Sequence, residues 1–261
     1  MHSAIKFRVL GPVKALQRGV WEDIRSAKGR AVLSTLLARR NQLVTVEKIA
    51  ESCWEDPPAT AACLIRRQVM KLRRDLVGDS IKTMPGGYMM ELGDSCVDCA
   101  VFEGHVRSGV SKLSRDLLCE GGQELHHALT LWNGPAFMDA PQTPLICAER
   151  DRMNELRALG AVYWSRSLIA TGRHCEAIPS LAGLIMEYPL HEGLREQWMA
   201  ALYLSGQRAK STSEFHDLRE RLISEIGMEP RLTTKQLHMA MISDDCTEVR
   251  RIALDSGRAS S

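Results

Sequence analysis

Residues 59–77 limit what this chain can fold into more than any other stretch. With residues placed about 100° apart, as on a helix, Ile65, Val69, Leu72 and Leu76 fall into one narrow apolar stripe. Arg66, Arg67, Met70, Lys71 and Arg74, with Thr60 and Cys63, fall on the opposite side, and Arg73 lies at its edge. A helix clamped along one stripe and carrying cations on the other suits the major groove of double-stranded DNA. An arginine fork can grip guanine O6/N7 or a phosphate through two hydrogen bonds, and Met70 can rest against a thymine methyl. Taken alone, the same pattern also describes an ordinary solvated helix face.

The flanking sequence separates the two. Downstream, Ile81-Lys82-Thr83-Met84, Pro85-Gly86-Gly87 and Tyr88-Met89-Met90-Glu91-Leu92 read as a hairpin turning on its glycines. Upstream, Ile5-Lys6-Phe7-Arg8-Val9-Leu10 alternates like a strand and stops at Gly11-Pro12, with further short strand-like pieces up to Ile24. A helical pattern runs through Ala31, Leu33, Leu36 and Leu37. Thr45 is a good N-cap for the next helix, with Glu47 in its first turn, and Pro57-Pro58 separates that helix from the basic one. Strands, three helices and a terminal hairpin make a winged helix-turn-helix, whose third helix enters the major groove while the hairpin touches the adjacent backbone or minor groove. In that arrangement Arg66, Arg67, Lys71, Arg73 and Arg74 face DNA with Met70 near base edges. Lys28 and Arg30, on the first helix, and Lys82 and Thr83, on the wing, are expected to reach phosphates. Charge agrees: residues 1–95 carry a net +6 and residues 96–261 a net −4, so a polyanion is the natural partner of the first third alone.

The remainder reads as all-α. Gly172 and Gly206 stand 34 residues apart, the tetratricopeptide period. Ala177 and Ser211 then fall where such a repeat wants a small packing residue, Phe215 where it wants a large one, and Pro189 where the second helix closes. The helix before Trp132 resembles a degenerate earlier copy. Stacked helix pairs leave a concave surface suited to protein partners. The organisation expected is therefore mainly α with a small β component: a winged-helix domain over 1–95, a tetratricopeptide-like domain over 96–245, and a flexible tail over 246–261.

Several function classes recede. No apolar run approaches a membrane span and no export signal is visible, so a cytoplasmic location is expected, with the eight cysteines as reduced thiols. Cys96-Val97-Asp98-Cys99 has only half the spacing of a zinc site, and packed thiols are the better reading. His126 and His127 are adjacent and point in different directions. Gly206-Gln207-Arg208-Ala209-Lys210-Ser211 lacks the glycine that a phosphate loop needs before its lysine. No nucleophile elbow or paired-carboxylate site is apparent. Neither an enzyme, a cofactor nor a metal is expected.

Several stretches together resemble the Streptomyces antibiotic regulatory protein family, in which an OmpR-type winged helix precedes a bacterial transcriptional activator domain. They are Phe7-Arg8-Val9-Leu10-Gly11-Pro12, Lys28-Gly29-Arg30-Ala31-Val32-Leu33, Pro57-Pro58-Ala59, Lys71-Leu72-Arg73-Arg74-Asp75-Leu76, Pro85-Gly86-Gly87-Tyr88, Leu131-Trp132-Asn133-Gly134-Pro135 and Glu225-Ile226-Gly227-Met228-Glu229-Pro230. The resemblance implies sequence-specific binding to direct repeats near a promoter −35 element by two protomers arranged head to tail. It also implies recruitment of RNA polymerase holoenzyme, including a sigma factor, at a secondary-metabolite gene cluster. The chain departs from the family pattern at Met84, where arginine is frequent, and at Arg66 and Arg67, where uncharged residues are common. The rival readings are a helical-repeat adaptor whose basic domain binds an acidic protein, and a repressor of the same fold.

Overall fold

The computed structural model describes residues 6–77, 80–93 and 96–255, with the side chains of residues 76 and 77 outside that description. Ile5, Leu76 as a member of the apolar stripe, Gly78-Asp79 and the closing Ser256–Ser261 therefore lie outside the described residues. Two compact units emerge, Met1–Gly104 with Thr130–Leu156, and His105–Leu129 with Arg157–Ser261.

The first unit opens with an antiparallel sheet in the order β1 (Phe7–Arg8), β2 (Lys14–Gln17), β3 (Val20–Asp23). Helix α1 (Ala27–Ala38) follows, its first turn capped by the Ser26 hydroxyl, which accepts from the Gly29 amide. After β4 (Leu43–Thr45), Thr45 caps α2 (Val46–Cys53) through the Lys48 amide, as its sequence position predicts. Helix α3 (Ala61–Leu72) then widens into a π-helical turn over Arg73–Val77. The wing is β5 (Ile81–Met84) and β6 (Gly87–Met90), and β6 pairs on its other side with β4. Gly87 is needed there, because a Cβ would sit 2.1 Å from the Val44 carbonyl oxygen across the pair.

The boundary expected at 95/96 is not where the compact units divide. The stretch after α5 (Leu118–Thr130) belongs to the first unit because it completes the N-terminal strand region. Asn133 and Phe137 donate backbone hydrogen bonds to the Leu10 and Val9 carbonyls, and Met138 donates to Gly11. Gly11 lies so close to Asn133 that a Cβ would meet its backbone at 3.2 Å. Asp98, in the first turn of α4 (Asp98–Leu113), accepts from the Val9 and Leu10 amides at 2.8 and 3.1 Å and from its neighbour Cys99 at 2.8 Å. The stretches Phe7–Pro12 and Leu131–Pro135 are thus two halves of one clasp.

The second unit is helical throughout its described residues. Helix α6 (Pro144–Ala170) turns at Gly172 into α7 (Ala177–Glu187), and α8 (Glu192–Leu204) turns at Gly206 into α9 (Arg208–Arg221). Both glycines adopt the left-handed conformation, with φ of 76° and 80°. Ala177 and Ser211 are buried at their repeat positions, and the Ser211 hydroxyl donates to the Met199 carbonyl at 2.8 Å. That contact absorbs the stretch that imitates a phosphate loop.

The flexible tail expected over 246–261 is corrected for residues 246–255, while residues 256–261 lie outside the described residues. After α10 (Leu232–Ile242), the chain turns at Asp244 and forms α11 (Cys246–Asp255). Val249, Ile252 and Ala253 of α11 pack into a core with Ile169, Met199, Tyr203, Phe215 and Leu237. This third helix pair escapes the 34-residue rule for two reasons. Its turn residue is an aspartate at φ 56°, and it falls 38 positions after Gly206. Aspartate tolerates the left-handed region because its short polar side chain bonds locally. The Asp244 carboxylate also accepts from two groups distant in sequence, the Tyr203 hydroxyl and Arg208.

Candidate nucleic-acid interface

Helix α3 is seated by Ile65, Val69 and Leu72, all buried, against α1 and α2. These three are the apolar stripe read from the sequence. Opposite them Arg66, Arg67, Met70, Lys71 and Arg74 are exposed, Met70 to 63%. Thr60 and Cys63 lie on the same open side. Trp54, at the C-terminal end of α2, is half-buried beneath the Lys28 ammonium, which sits 4.2 Å from the ring centroid.

The cations of this region differ sharply in how far the fold has engaged them. Arg66 and Arg67 have no hydrogen bond or ion pair among the described residues. Lys71 is close enough to Asp75 to help hold that carboxyl below its usual range. The main cause of the Asp75 shift is its hydrogen bond from Arg74, whose Nε lies 2.7 Å from Oδ1. The same bond raises the Arg74 guanidinium above its ordinary value. Arg73 turns away from the open face: its Nε donates to the Ile81 carbonyl at 2.9 Å and its Nη2 to the Thr83 hydroxyl at 2.8 Å. Lys82 on the wing stands 3.9 Å from Glu91.

On α1, Lys28 donates to the Cys53 carbonyl. Arg30 donates to the carbonyls of Asp139 at 2.8 Å and Ile24 at 2.9 Å, and pairs with the Asp139 carboxylate at 3.3 Å. A phosphate contact by either residue would require exchanging these bonds. Sequence reasoning missed several partners. Asp75 was visible as the neighbour of Arg74, but Asp139 and the wing bonds of Arg73 join residues whose proximity no local pattern encodes. Another is Asn41, whose side chain exchanges two 2.9 Å hydrogen bonds with the Leu92 backbone and so ties the chain after the wing to the turn after α1.

Among the described residues, no group of three His, Cys, Asp or Glu could hold a metal ion, and no helix is long and apolar enough to cross a membrane. Cys96 and Cys99 are buried, and burial pushes the Cys99 thiol up to about 12.

Residues 24–90 match the family described as "Transcriptional regulatory protein, C terminal", and residues 97–242 match the bacterial transcriptional activator domain. The chain belongs to the Streptomyces antibiotic regulatory protein family. The regulatory protein AfsR of Streptomyces griseus is 30% identical over 243 residues, covering 93% of this chain and 25% of that protein. This member of the family thus spans about a quarter of the length of AfsR. The regulatory protein DnrI of Streptomyces peucetius is 27% identical over 253 residues, 92% of this chain and 93% of DnrI. Among solved structures, Mycobacterium tuberculosis EmbR in complex with a low-affinity phosphopeptide superposes with a TM-score of 0.86. It shares 25% sequence identity and covers 96% of this chain and 68% of EmbR. This is a family of transcriptional regulators and not of enzymes.

Proposed function

We propose that this regulator is a sequence-specific transcriptional activator that binds direct repeats near the −35 element of a secondary-metabolite promoter. Two protomers sit head to tail on the DNA, and the helical domain recruits RNA polymerase holoenzyme through its sigma factor. One observation carries the DNA reading. Helix α3 is fixed by three buried side chains and presents Arg66 and Arg67, which have no partner within the described fold, beside Met70, Lys71 and Arg74. Cations carried on a seated helix and left unneutralised favour a polyanion that supplies the missing counter-charge. Arg66 and Arg67 contact bases or phosphates in the major groove, Met70 lies near base edges, and Lys71 and Arg74 meet the backbone. Lys82 and Thr83 bring the wing to the adjacent phosphates. Lys28 and Arg30, already bonded within the fold, support the frame around α3.

The test is a titration of the purified protein against promoters of its neighbouring genes in rising salt, beside an unrelated duplex of equal length. Tight binding to one promoter, lost in Arg67→Ala, supports the reading and locates the repeats for a transcription assay that separates activation from repression. Equal and weak binding to every duplex would sink it and favour an adaptor that binds an acidic protein.

A further inference from the structure

Arg73 sits among the cations of α3, yet its guanidinium faces the wing. The hairpin register explains what it finds there. Ser80 accepts from the Glu91 amide, and the pairing of Ile81 with Met90 and Thr83 with Tyr88 then alternates along the ladder. Ser80, Lys82 and Met84 therefore occupy the positions bonded to β6, while the backbone groups of Ile81 and Thr83 point off the other side of β5. In the sheet order β4-β6-β5, that other side is a free edge. Arg73 Nε donates to the Ile81 carbonyl on this edge, and Nη2 reaches the Thr83 hydroxyl two residues further along the same strand. Arg73 is half-buried, at the end of α3 where the helix widens into its π-helical turn.

We infer that Arg73 is a positioning residue that locks the wing to the recognition helix, and that it does not itself contact DNA. The inference rests on the DNA-binding reading above and deepens it. A planar fork with separate donors can bridge a carbonyl and a hydroxyl at fixed spacing, which a single lysine ammonium cannot reproduce. With the fork in place, Lys82 and Thr83 hold one angle relative to Arg66 and Arg67, so helix and wing contacts are made together. Without it, β5 loses its hydrogen bonds to the end of α3 and keeps those to β6, so the edge strand that carries Lys82 and Thr83 is held less closely to the helix.

The experiment compares the full chain with its Arg73→Lys and Arg73→Ala variants in two measurements. The first is amide hydrogen exchange without DNA. Both variants should exchange the β5 and β6 amides roughly tenfold faster than the parent, the scale of one or two charge-assisted hydrogen bonds, with α2 unchanged. The second is salt-titrated binding to the promoter identified above, where both variants should lose affinity by the same factor, of order tenfold, on every tight-binding sequence. Unchanged wing exchange overturns the proposal. So does an Arg73→Lys variant that binds like the parent, since a retained charge would then suffice, as it does for a phosphate contact. Relaxed preference at a single base pair would also overturn it, because that marks direct base readout. A parent protein with no promoter preference defeats the DNA reading instead, and faster wing exchange would still support the lock.

Discussion

Asp98 gives the sharpest test of how this fold balances burial against hydrogen bonding. Its side chain is 2% exposed, and its carboxyl accepts three backbone N–H bonds, from Val9, Leu10 and Cys99. Burial pushes its pKa up to about 6, against the opposing pull of those donors and of Arg8. The ordinary value is 3.8, so the shift is about two units, worth roughly 3 kcal/mol at about 1.4 kcal/mol per unit. Because the folded value lies above the unfolded one, this stability is fully present below pH 4 and is lost as pH rises through 6. Asparagine does not titrate, but it offers one acceptor oxygen where the carboxyl offers two, so its NH2 would face the Leu10 N–H at a cost that does not change with pH. Asp98→Asn should therefore be the less stable protein at pH 4. Measured against that starting difference it should gain up to about 3 kcal/mol on the parent by pH 8, with the change falling between pH 4 and 6.5. Measuring the difference between the two proteins cancels the titration of every other group. A gap constant to within about 0.5 kcal/mol across that range would refute the reasoning. A variant less stable at pH 8 than at pH 4, relative to the parent, would show that the three donors outweigh burial and hold the carboxyl low.

Four further outcomes are expected. Leu72→Ala removes a side chain that is only 4% exposed and should lower unfolding free energy by about 2–5 kcal/mol, abolishing DNA binding through loss of the seated helix. Ile252→Ala should cost a similar roughly 2–5 kcal/mol in urea unfolding because α11 is docked, whereas a frayed segment would show under about 0.5 kcal/mol. Gly87→Ala forces a methyl onto the Val44 carbonyl and should destabilise by at least about 1–3 kcal/mol, with faster amide exchange in β4 and β6. Arg74→Ala should leave the melting curve unchanged and reduce the slope of log binding constant against log salt by about one, evenly across sequences.

Much of the first unit was legible from local pattern. The stripe Ile65, Val69, Leu72, the Thr45 cap and the glycine turn of the wing each follow from rules acting within a few residues, and the structure places them accordingly. What stayed hidden depends on residues distant in sequence. Nothing near Arg30 announces Asp139, and nothing near Arg73 distinguishes a guanidinium that bonds the wing from one left open, as at Arg67. Likewise α11 is short, and the turn before it uses Asp244 in place of glycine, so no punctuation marks its start, although Val249, Ile252 and Ala253 keep helical spacing. The family resemblance identified the stretches at 7–12 and 131–135 without revealing that they meet.

That meeting bears on how the protein is made. Leu10 leaves the ribosome more than 120 residues before Asn133, the residue that closes over it. At about 5–20 residues per second, the N-terminal strand region waits on the order of ten seconds for its partner. Until then the Leu10 and Val9 carbonyls lack the Asn133 and Phe137 amides that pair with them in the finished fold. Helix α3 is complete long before Asn133 and Phe137 are made, so the first unit closes late although its strands are translated early.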